Sequence, residues 1–289
     1  DSLIKKYYPN MRRYVDYLKT RAEMGILSFG LGDWYDYGDF RAGFSRNTPV
    51  PLVATAHYYM TVMYLIKAAK MVGNDFDIHY YTSLAHEILA AFNKCFLNKE
   101  TAQYGTGSQC SNALPLFLQM TQDSDEQGSY QPDAKLDEKV LMNLIKDVEA
   151  HGNRLTTGDV GPRYLIQTLA RNGQHELIYK MFNHEEAPGY GFQLKFGATT
   201  LTEQWDPRQG SSSDHFMMGQ IDEWFFNSLV GIRPSTTYQK FIIAPQPVGD
   251  LKYVKASYET LYGTIVVDWT SQNGTFTLNI SVPVNTTAV

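Results

Sequence analysis

The sequence has little cysteine. Its 289 residues include only Cys95 and Cys110, which we place in a helix-like segment and in a loop, respectively. Two isolated cysteines provide neither a disulfide framework nor the paired spacing of a zinc site, and no segment has the acidic spacing of a calcium-binding EF-hand loop. We therefore expect two free thiols, with a single disulfide as the alternative, and no metal ion or other cofactor.

The sequence also lacks an excess of basic residues and any long apolar run. Its 25 Lys and Arg residues stand against 30 Asp and Glu, a net charge of -5, whereas proteins that bind nucleic acid present clustered basic side chains. The longest apolar runs are shorter than the stretch of about 20 residues that spans a bilayer. We expect no nucleic-acid partner and no membrane span.

The amino terminus shows no signal-peptide pattern, and the chain opens with Asp1 inside an amphipathic segment rather than with methionine. This opening predicts that the chain is a piece of a longer protein. The missing amino-terminal part of that protein is then expected to be a partner of this chain. The lack of a targeting signal then carries no information about the compartment.

Aromatic residues are abundant, at 13% of the chain, and many of the tyrosines lie in loops rich in glycine and aspartate. The decapeptide GATTLTEQWD, residues 197–206, places Glu203 among short polar residues beside Trp205. A hydrolase needs a carboxylate with room for a water molecule next to it, and an indole ring offers a sugar an apolar face. The decapeptide is typical of a carbohydrate-processing site.

The same decapeptide also fits a short strand or turn whose glutamate only caps a neighbouring helix. Further loops rich in aromatic or acidic residues favour the catalytic interpretation. They are GLGDWYDYGD at 30–39, LTTGDVGPRY at 155–164 and SSSDHFMMG at 211–219. We expect all four loops to converge on Glu203.

Apolar residues recur at helical spacing over most of the first 230 positions. Residues 3–23 predict an amphipathic surface helix, followed by a loop over 25–51 that is too long for a plain connection. Residues 52–72 are apolar on nearly every side and predict a buried inner helix, whereas 77–96 predict an amphipathic outer helix antiparallel to it. Similar segments follow at 111–120, 137–151, 161–171 and 174–183, and a last helix is predicted over 214–230. About eight such helices predict a toroid of helical hairpins, with a bundle or solenoid as the alternative.

The composition changes after Pro234. Short segments rich in Val, Ile, Thr and Tyr, separated by turns, predict a small antiparallel sheet domain with strands at 241–244, 251–259, 263–269 and 275–282. Four short strands bury little on their own. We expect them to pack on the helical part or to be the first portion of a larger β-sandwich.

Taken in order, five segments resemble the catalytic domain of bacterial α-L-rhamnosidases of the inverting glycoside hydrolase family 78 type. The segments are GLGDWYDYG, TPVPLVATAHYY, LTTGDVGPRYLIQTLARNGQHELIYKM, GYGFQLKFGATTLTEQWD and SSSDHFMMGQIDEWFFNSLVGIRP. After Pro234, FIIAPQPVGDLKYVKASYETLYGTIVVDW is similar to that family's C-terminal β-sandwich. Each motif is moderately specific, but five in the same order along almost the whole chain are strongly specific.

The resemblance implies a mainly α fold with a small β domain. Residues 1–234 are expected to form part of an (α/α)6 catalytic barrel, and residues 235–289 a truncated portion of an antiparallel β-sandwich. The implied activity is hydrolysis of terminal α-L-rhamnose from a rhamnose-containing glycan or glycoside.

The resemblance also implies residue roles. Glu203 falls on the family's general base, the carboxylate that activates water on the face of the sugar opposite the leaving group. Asp33, Trp34, Trp205 and His215 fall on motif positions that line the rhamnose pocket.

Two departures from the family pattern stand out. Thr202 replaces the family's usual tryptophan just before the base. The general acid belongs to a segment of the type Asp-Glu-Arg followed by Gly-Trp and Gly-Asp, upstream of the first helix, and no such run occurs here. An inverting glycosidase needs two carboxyl groups roughly 6.5 to 9.5 Å apart, so we expect the chain alone to be close to inactive. Asp33 or Asp159 as a substitute acid is the weaker alternative, since either is more simply a sugar ligand or a helix cap.

Two other interpretations remain open. One is a different (α/α)6 glycosidase or a polysaccharide lyase for uronic-acid glycans, and a lyase product is recognised by its ultraviolet absorbance. The other is a non-catalytic carbohydrate-binding module that keeps the aromatic pocket without the acid, for which rhamnose would bind without turnover.

Overall fold

A computed structural model describes residues 2–124, 130–210, 212–235 and 237–289. The chain divides into two compact units, Asp1–Leu165 and Ile166–Val289. None of the helices in the described ranges is both long enough and apolar enough to cross a membrane.

The first unit consists of α-helices joined by loops and two short β-hairpins. Its helices are α1 (Ser2–Arg21), α2 (Val50–Val72), α3 (Asp75–Phe96), α4 (Gln109–Phe117), α5 (Ala134–Ala150) and α6 (Gly161–Arg171), the last of which continues into the second unit. The hairpins pair β1 (Leu97–Asn98) with β2 (Gln103–Tyr104) and β3 (Gln122–Ser124) with β4 (Tyr130–Pro132). The sequence predicted these helices, and it did not predict the hairpins.

The inner helix α2 and the outer helix α3 form the predicted hairpin. Helix α2 has buried residues on most of its faces and ends at Gly73, whose φ of +76° is the left-handed conformation that favours glycine. Asn74 then caps α3, because its side chain accepts a hydrogen bond from the N–H of Asp77. The two caps account for the abrupt reversal of the chain.

Helix α1 is amphipathic, as predicted, and buries Tyr8, Val15 and Leu18. The Tyr8 hydroxyl donates a 2.7 Å hydrogen bond to the carboxylate of Asp77 on α3. The Arg12 side chain lies 3.8 Å from the same carboxylate oxygen. The buried carboxylate of Asp77 is thereby paired where α1 packs against the α2–α3 hairpin.

Both cysteines are free thiols, as predicted. Cys95 is exposed on α3, but Cys110 is buried in the first turn of α4 rather than in a loop. The placement of Cys110 in a loop was wrong because Ser108 caps the helix earlier than the apolar pattern indicates. The Ser108 side chain accepts from the N–H of Ser111.

The helices of the second unit are shorter. They are α7 (His175–Phe182), α8 (Tyr190–Lys195) and α9 (Asp222–Trp224), with 3-10 turns at Pro207–Gln209 and Phe216–Gly219 and a wider helical turn at Phe225–Leu229. The sequence predicted α7 and missed α8.

The prediction of a single helix over 214–230 is wrong. The carbonyl of Met218 accepts a hydrogen bond from the Tyr190 hydroxyl, and Gly219, a poor helix former, follows it. In the last turn the N–H of Val230 bonds to the carbonyl of Phe225, five residues back, at 2.8 Å. The segment is therefore helical only in short pieces with different hydrogen-bond spacing.

The strands of the second unit form two three-stranded sheets. Four of the strands lie close to the predicted segments, whereas those at Ile232–Pro234 and Thr287–Ala288 were not predicted. One sheet has the order β7 (Tyr253–Thr260), β8 (Gly263–Gln272), β9 (Thr275–Ser281), with both pairs antiparallel. The other has the order β10 (Thr287–Ala288), β6 (Lys240–Ile243), β5 (Ile232–Pro234), in which β10 and β6 are parallel.

The two sheets share an apolar core. Its buried members come from the end of the helical turn, from β5 and β6, and from alternate positions of β8: Val230, Ile232, Phe241, Ile265, Val267 and Trp269. The alternation along β8 is that of a strand with one face buried. The indole N–H of Trp269 donates to the carbonyl of Leu229 at 2.9 Å, so its one polar group is satisfied.

Candidate active site

In the first unit two of the four predicted loops meet. We call residues 30–49 the GDW loop and residues 154–161 the GDV loop. The N–H of Asp159 donates to the carbonyl of Trp34 at 2.7 Å, and the N–H of Tyr37 donates to the carbonyl of Thr156 at 3.2 Å. The Asn47 side chain adds a 2.8 Å hydrogen bond to the same Thr156 carbonyl. The loops are thus joined through their backbones.

Asp33 lies beneath this junction and is fully buried. Its Oδ1 accepts hydrogen bonds from the N–H groups of Gly161 at 2.7 Å and Val160 at 3.2 Å, at the start of α6. A helix amino terminus favours such a carboxylate. Burial nevertheless raises the pKa of Asp33 to about 6, against the opposing effect of the backbone hydrogen bonds. The carboxyl has no exposed surface that a ligand can touch as placed.

Asp36, which the sequence analysis did not single out, closes the GDW loop on itself. Its Oδ2 accepts hydrogen bonds from the N–H groups of Asn47 at 2.5 Å and Arg46 at 2.7 Å, and from the Ser45 hydroxyl at 3.3 Å. Burial raises the pKa of Asp36. The available signal was an aspartate placed three residues after another in a loop too long for a plain connection.

The close contact of the two loops requires glycine at position 158. A Cβ atom there would lie 2.1 Å from the carbonyl oxygen of Trp34 and 2.4 Å from that of Asp33. The Trp34 indole, half-buried, packs against Tyr35 and Phe44 with centroid separations of 5.3 Å in both cases. The backbone that carries Trp34 is therefore fixed by the GDV loop, while part of its ring stays accessible.

In the second unit the other two predicted loops meet. We call residues 197–206 the Glu203 segment. The N–H of Glu203 donates to the carbonyl of Ser212 at 3.0 Å, and the N–H of His215 donates to the carbonyl of Leu201 at 2.9 Å. These two backbone hydrogen bonds place Glu203 and His215 on neighbouring stretches of chain that lie side by side.

The Glu203 side chain is half-buried. Within the described residues of the second unit its carboxylate makes no hydrogen bond and no ion pair. The backbone around it is fixed, but the carboxylate itself stays available to solvent or to a ligand. That combination is what a general base requires, because it must be positioned and must still have room for a water molecule.

Thr202, which stands where the resemblance leads us to expect a tryptophan, belongs to a buried hydrogen-bond network. The side-chain amide of Gln193 donates to the Thr202 hydroxyl at 2.8 Å and approaches the carbonyls of Thr202 and Gln204. The Thr202 hydroxyl donates in turn to the Gln204 carbonyl at 2.7 Å. Gln193 was missed as a site residue, although the quoted motif GYGFQLKFG contains it.

Trp205 contributes less open surface than the sequence suggests, since only 9% of it is exposed. Its ring meets that of Tyr190 edge to face, with centroids 5.4 Å apart. Burial raises the pKa of Tyr190, and its hydroxyl donates to the carbonyl of Met218. Trp205, two residues after Glu203, is therefore packed against Tyr190, and His215 lies half-buried on the paired stretch.

The structure thus joins the predicted site residues in two groups. Asp33 and Trp34 belong to the loop pair of the first unit, and Glu203, Trp205 and His215 to the loop pair of the second. The convergence of all four loops on Glu203 stays a prediction, as do the roles of these residues in a pocket.

Two family models match the chain. The model of the bacterial α-L-rhamnosidase 6-hairpin glycosidase domain matches residues 1–229, and that of the bacterial α-L-rhamnosidase C-terminal domain matches residues 231–289. The matches confirm the predicted fold class, part of a six-hairpin barrel followed by a β-sandwich portion.

Individual proteins agree with the family models. The chain is 27% identical over 292 residues to an α-L-rhamnosidase of Streptomyces avermitilis and 28% identical over 304 residues to one of Formosa agariphila. Among solved structures, an α-L-rhamnosidase of Dictyoglumus thermophilum superposes with a TM-score of 0.87 at 34% identity. The Streptomyces avermitilis enzyme, solved in complex with L-rhamnose, superposes with a TM-score of 0.86 at 25% identity.

These relatives are much longer than the chain. The alignments cover 97% and 100% of this chain but 26% and 31% of the two curated relatives. Likewise, 99% of the chain superposes on 32% of the Dictyoglumus thermophilum structure.

Proposed function

The chain belongs to the bacterial α-L-rhamnosidase family, and on that premise we propose that it carries the general base of a glycosidase that removes terminal α-L-rhamnose. The substrate is a rhamnose-containing glycan or glycoside, and the reaction inverts the anomeric configuration. Residues 1–234 supply part of the catalytic barrel, and residues 235–289 a β-sandwich portion, whose apolar core also includes Val230 and Ile232.

The observation that carries the proposal is the state of Glu203. Its backbone is held by the paired stretch at Ser212, while its carboxylate is partly exposed and makes no hydrogen bond or ion pair within the described residues of its unit. Such a carboxylate accepts a proton from water as the water oxygen attacks the anomeric carbon. Attack from the face opposite the leaving group gives the inverted product.

Under this proposal the aromatic and polar residues that the sequence predicts for the site supply the sugar-binding surface. The accessible part of Trp34 offers an apolar face to the pyranose ring, and the packed pair of Trp205 and Tyr190 supports the segment that carries Glu203. His215 provides a polar group on the neighbouring stretch. Asp33 contributes indirectly, by holding the loop that carries Trp34 against the start of α6.

The general acid is the second requirement of an inverting reaction, and it is worth about 10² to 10⁴ in rate. The family's acid motif does not occur in these 289 residues. The proposal therefore assigns the acid to a part of the protein outside them, and the tests below use the protein expressed from the complete gene.

The direct test is turnover of p-nitrophenyl α-L-rhamnoside by that protein and by its Glu203→Gln variant. We expect the substitution to lower kcat by about 10² to 10⁴ with an unchanged melting temperature, because a half-buried carboxylate that makes no hydrogen bond or ion pair within the described residues of its unit contributes little to folding. Glu185→Gln is the matched control, since Glu185 is exposed and its ion pair with Lys195 is a surface one. Turnover by Glu203→Gln within a few-fold of the unmutated protein would refute the assignment.

The stereochemical part of the proposal has its own readout. Proton NMR during the first minutes of hydrolysis should show the β anomer of rhamnose appearing before mutarotation. The α anomer as first product would contradict inversion and leave the hydrolase assignment standing. Binding of rhamnose without any turnover would instead favour a non-catalytic carbohydrate-binding module.

A further inference from the structure

Tyr190, the first residue of α8, is not among the predicted site residues. Its side chain nevertheless contacts both of the stretches that carry predicted site residues of the second unit. One stretch is the Glu203 segment. The other is the short 3-10 turn that follows His215, and we call residues 215–219 the His215 turn. A single side chain therefore connects the proposed base with a residue of the proposed sugar pocket.

The ring of Tyr190 contacts the Glu203 segment. It meets the indole of Trp205 edge to face, with centroids 5.4 Å apart. On another side it stacks on the ring of Phe182, the last residue of α7, with centroids 5.5 Å apart. Close packing against two other rings restricts the movement of the Tyr190 ring. The ring is therefore a fixed support for Trp205, which lies two residues after Glu203.

The hydroxyl of Tyr190 contacts the His215 turn. It donates a hydrogen bond to the carbonyl of Met218, whose side chain is buried. The N–H of Met218 donates in turn to the carbonyl of His215 at 3.0 Å. Burial raises the pKa of Tyr190, so the hydroxyl stays protonated and remains a donor at neutral pH. Met218 is thus bonded to Tyr190 through its carbonyl and to His215 through its N–H.

The hydroxyl acts where the pairing between the two stretches has ended. In the ranges that the structure describes, the last backbone hydrogen bond between the stretches joins the N–H of His215 to the carbonyl of Leu201, at 2.9 Å. The bond from Tyr190 reaches Met218, three residues further along. A short 3-10 turn has poorer hydrogen-bond geometry than an α-helix, so a bond from outside the turn contributes to its position. The Tyr190 hydroxyl therefore fixes the direction in which the His215 turn leaves the paired stretch.

We propose that Tyr190 is a positioning residue of the rhamnose site, which holds the His215 turn in a set place relative to the Glu203 segment. The inference rests on the proposed function, in which His215 lines the pocket and Glu203 activates water. Loss of the hydroxyl should therefore weaken sugar binding and leave the chemical step largely unchanged. The backbone of Glu203 keeps its own hydrogen bond to Ser212 in that case.

The test compares Tyr190→Phe with the unmutated protein, both expressed from the complete gene. The substitution removes the hydroxyl and keeps the ring. We expect the Kd of L-rhamnose, measured by isothermal titration calorimetry, to rise about fivefold. The KM of p-nitrophenyl α-L-rhamnoside should rise by the same factor, and kcat should stay within about twofold. This division between KM and kcat distinguishes positioning of the sugar pocket from a general weakening of the fold.

A double-mutant cycle tests whether Tyr190 acts through His215. In the His215→Ala background, Tyr190→Phe should change the Kd by less than about twofold, because the side chain that Tyr190 positions is already absent. Gln193→Met gives the opposite pattern, since Gln193 bonds to Thr202, directly before Glu203. It should lower kcat and leave the Kd of L-rhamnose within about twofold.

Two control variants separate positioning from a loss of stability. Tyr179→Phe removes another tyrosine hydroxyl of the second unit, one that donates to the carboxylate of Asp250. Ile178→Val removes a methyl group at a fully buried position of α7. Both should leave the KM and the Kd within about twofold. All variants are measured well below their melting temperatures.

Three outcomes would overturn the inference. They are an unchanged Kd in Tyr190→Phe, an equal rise in either control variant, and a fivefold rise that persists in the His215→Ala background. The unmutated protein tests the proposed function separately. Binding of L-rhamnose without turnover would refute the proposed hydrolysis, while the Kd comparison would still decide the role of Tyr190. Neither binding nor turnover would refute both.

Discussion

Asp33 and Glu203 are both carboxylates in loops rich in aromatic residues, but they differ in burial and in hydrogen bonding. Asp33 is fully buried, accepts hydrogen bonds from the start of α6 and has a pKa raised to about 6 by burial. Glu203 is half-buried on a fixed backbone, and its carboxylate is unpaired within the described residues of its unit. The first carboxylate holds structure together, and the second is left available for chemistry.

The difference shows that motif membership alone does not separate a scaffold residue from a reacting one. Asp33 directly precedes Trp34 and Glu203 lies two residues before Trp205, and both carboxylates belong to segments whose sequences resemble the same family. Accessibility and hydrogen-bond partners separate them. Substitutions that disturb the support of each loop therefore test the comparison.

The largest loss of stability is expected at Gly158, because the backbone around Asp33 leaves no room there for a side chain. In Gly158→Ala the new methyl group would lie 2.1 Å from the Trp34 carbonyl oxygen, so the GDW and GDV loops must separate. We expect a loss of roughly 3 kcal/mol in the free energy of unfolding, measured by urea denaturation. Gly219→Ala is the control, because its nearest neighbour is the end of the Leu201 side chain at 3.2 Å, and it should cost less than about 1 kcal/mol. Equal costs would mean that the loop contact is not tight.

A smaller loss of stability is expected at Gln193, whose side chain supports the backbone of the Glu203 segment. Gln193→Met keeps the side-chain volume but removes the donor to the Thr202 hydroxyl and leaves buried acceptors without it. We expect a loss of about 2 kcal/mol in the free energy of unfolding. We also expect a fall in kcat of about tenfold, because Glu203 loses its fixed position. Gln209→Met, at an exposed position, should change neither quantity appreciably. Full activity in Gln193→Met would show that the network does not position Glu203.

The smallest effect concerns protonation of Asp33. Because burial raises the pKa of Asp33 in the folded protein from its ordinary value of 3.8 to about 6, the folded protein binds the proton more tightly than the unfolded chain. Stability from this group is therefore present below about pH 4 and is lost as the pH rises through about 6. Asp33→Asn keeps an oxygen that accepts hydrogen bonds from the N–H groups at the start of α6, but its amide side chain does not titrate.

The stability of Asp33→Asn relative to the unmutated protein should thus increase by about 1 kcal/mol between pH 4 and 5, measured by denaturation at each pH. Asp39→Asn in the same loop, where the side chain is exposed, should show no such trend. A relative stability that falls with pH would mean that Asp33 is better stabilised as an anion than its burial implies.

The sequence predicted the long helices well, because their apolar periodicity extends over several turns and their ends carry Asn, Ser and Gly caps. It failed over 214–230, where the apolar residues have helical spacing but the helix is interrupted. The Met218 carbonyl there accepts a hydrogen bond from the Tyr190 hydroxyl. The sequence predicted that four loops come together; the structure joins two of them in each unit, and their convergence on Glu203 stays a prediction. The burial of Asp33 and the network around Gln193 depend on contacts between residues far apart in sequence, which no local pattern reports.

The most direct test of the central claim is rescue of Glu203→Gly by azide, with p-nitrophenyl α-L-rhamnoside as substrate and the protein from the complete gene. If Glu203 activates water opposite the leaving group, a small anion in the vacated space should attack the same carbon and restore p-nitrophenol release. The product should be β-L-rhamnosyl azide, identified by NMR. Formation of the α azide, or rescue of Asp33→Gly in place of Glu203→Gly, would contradict the account.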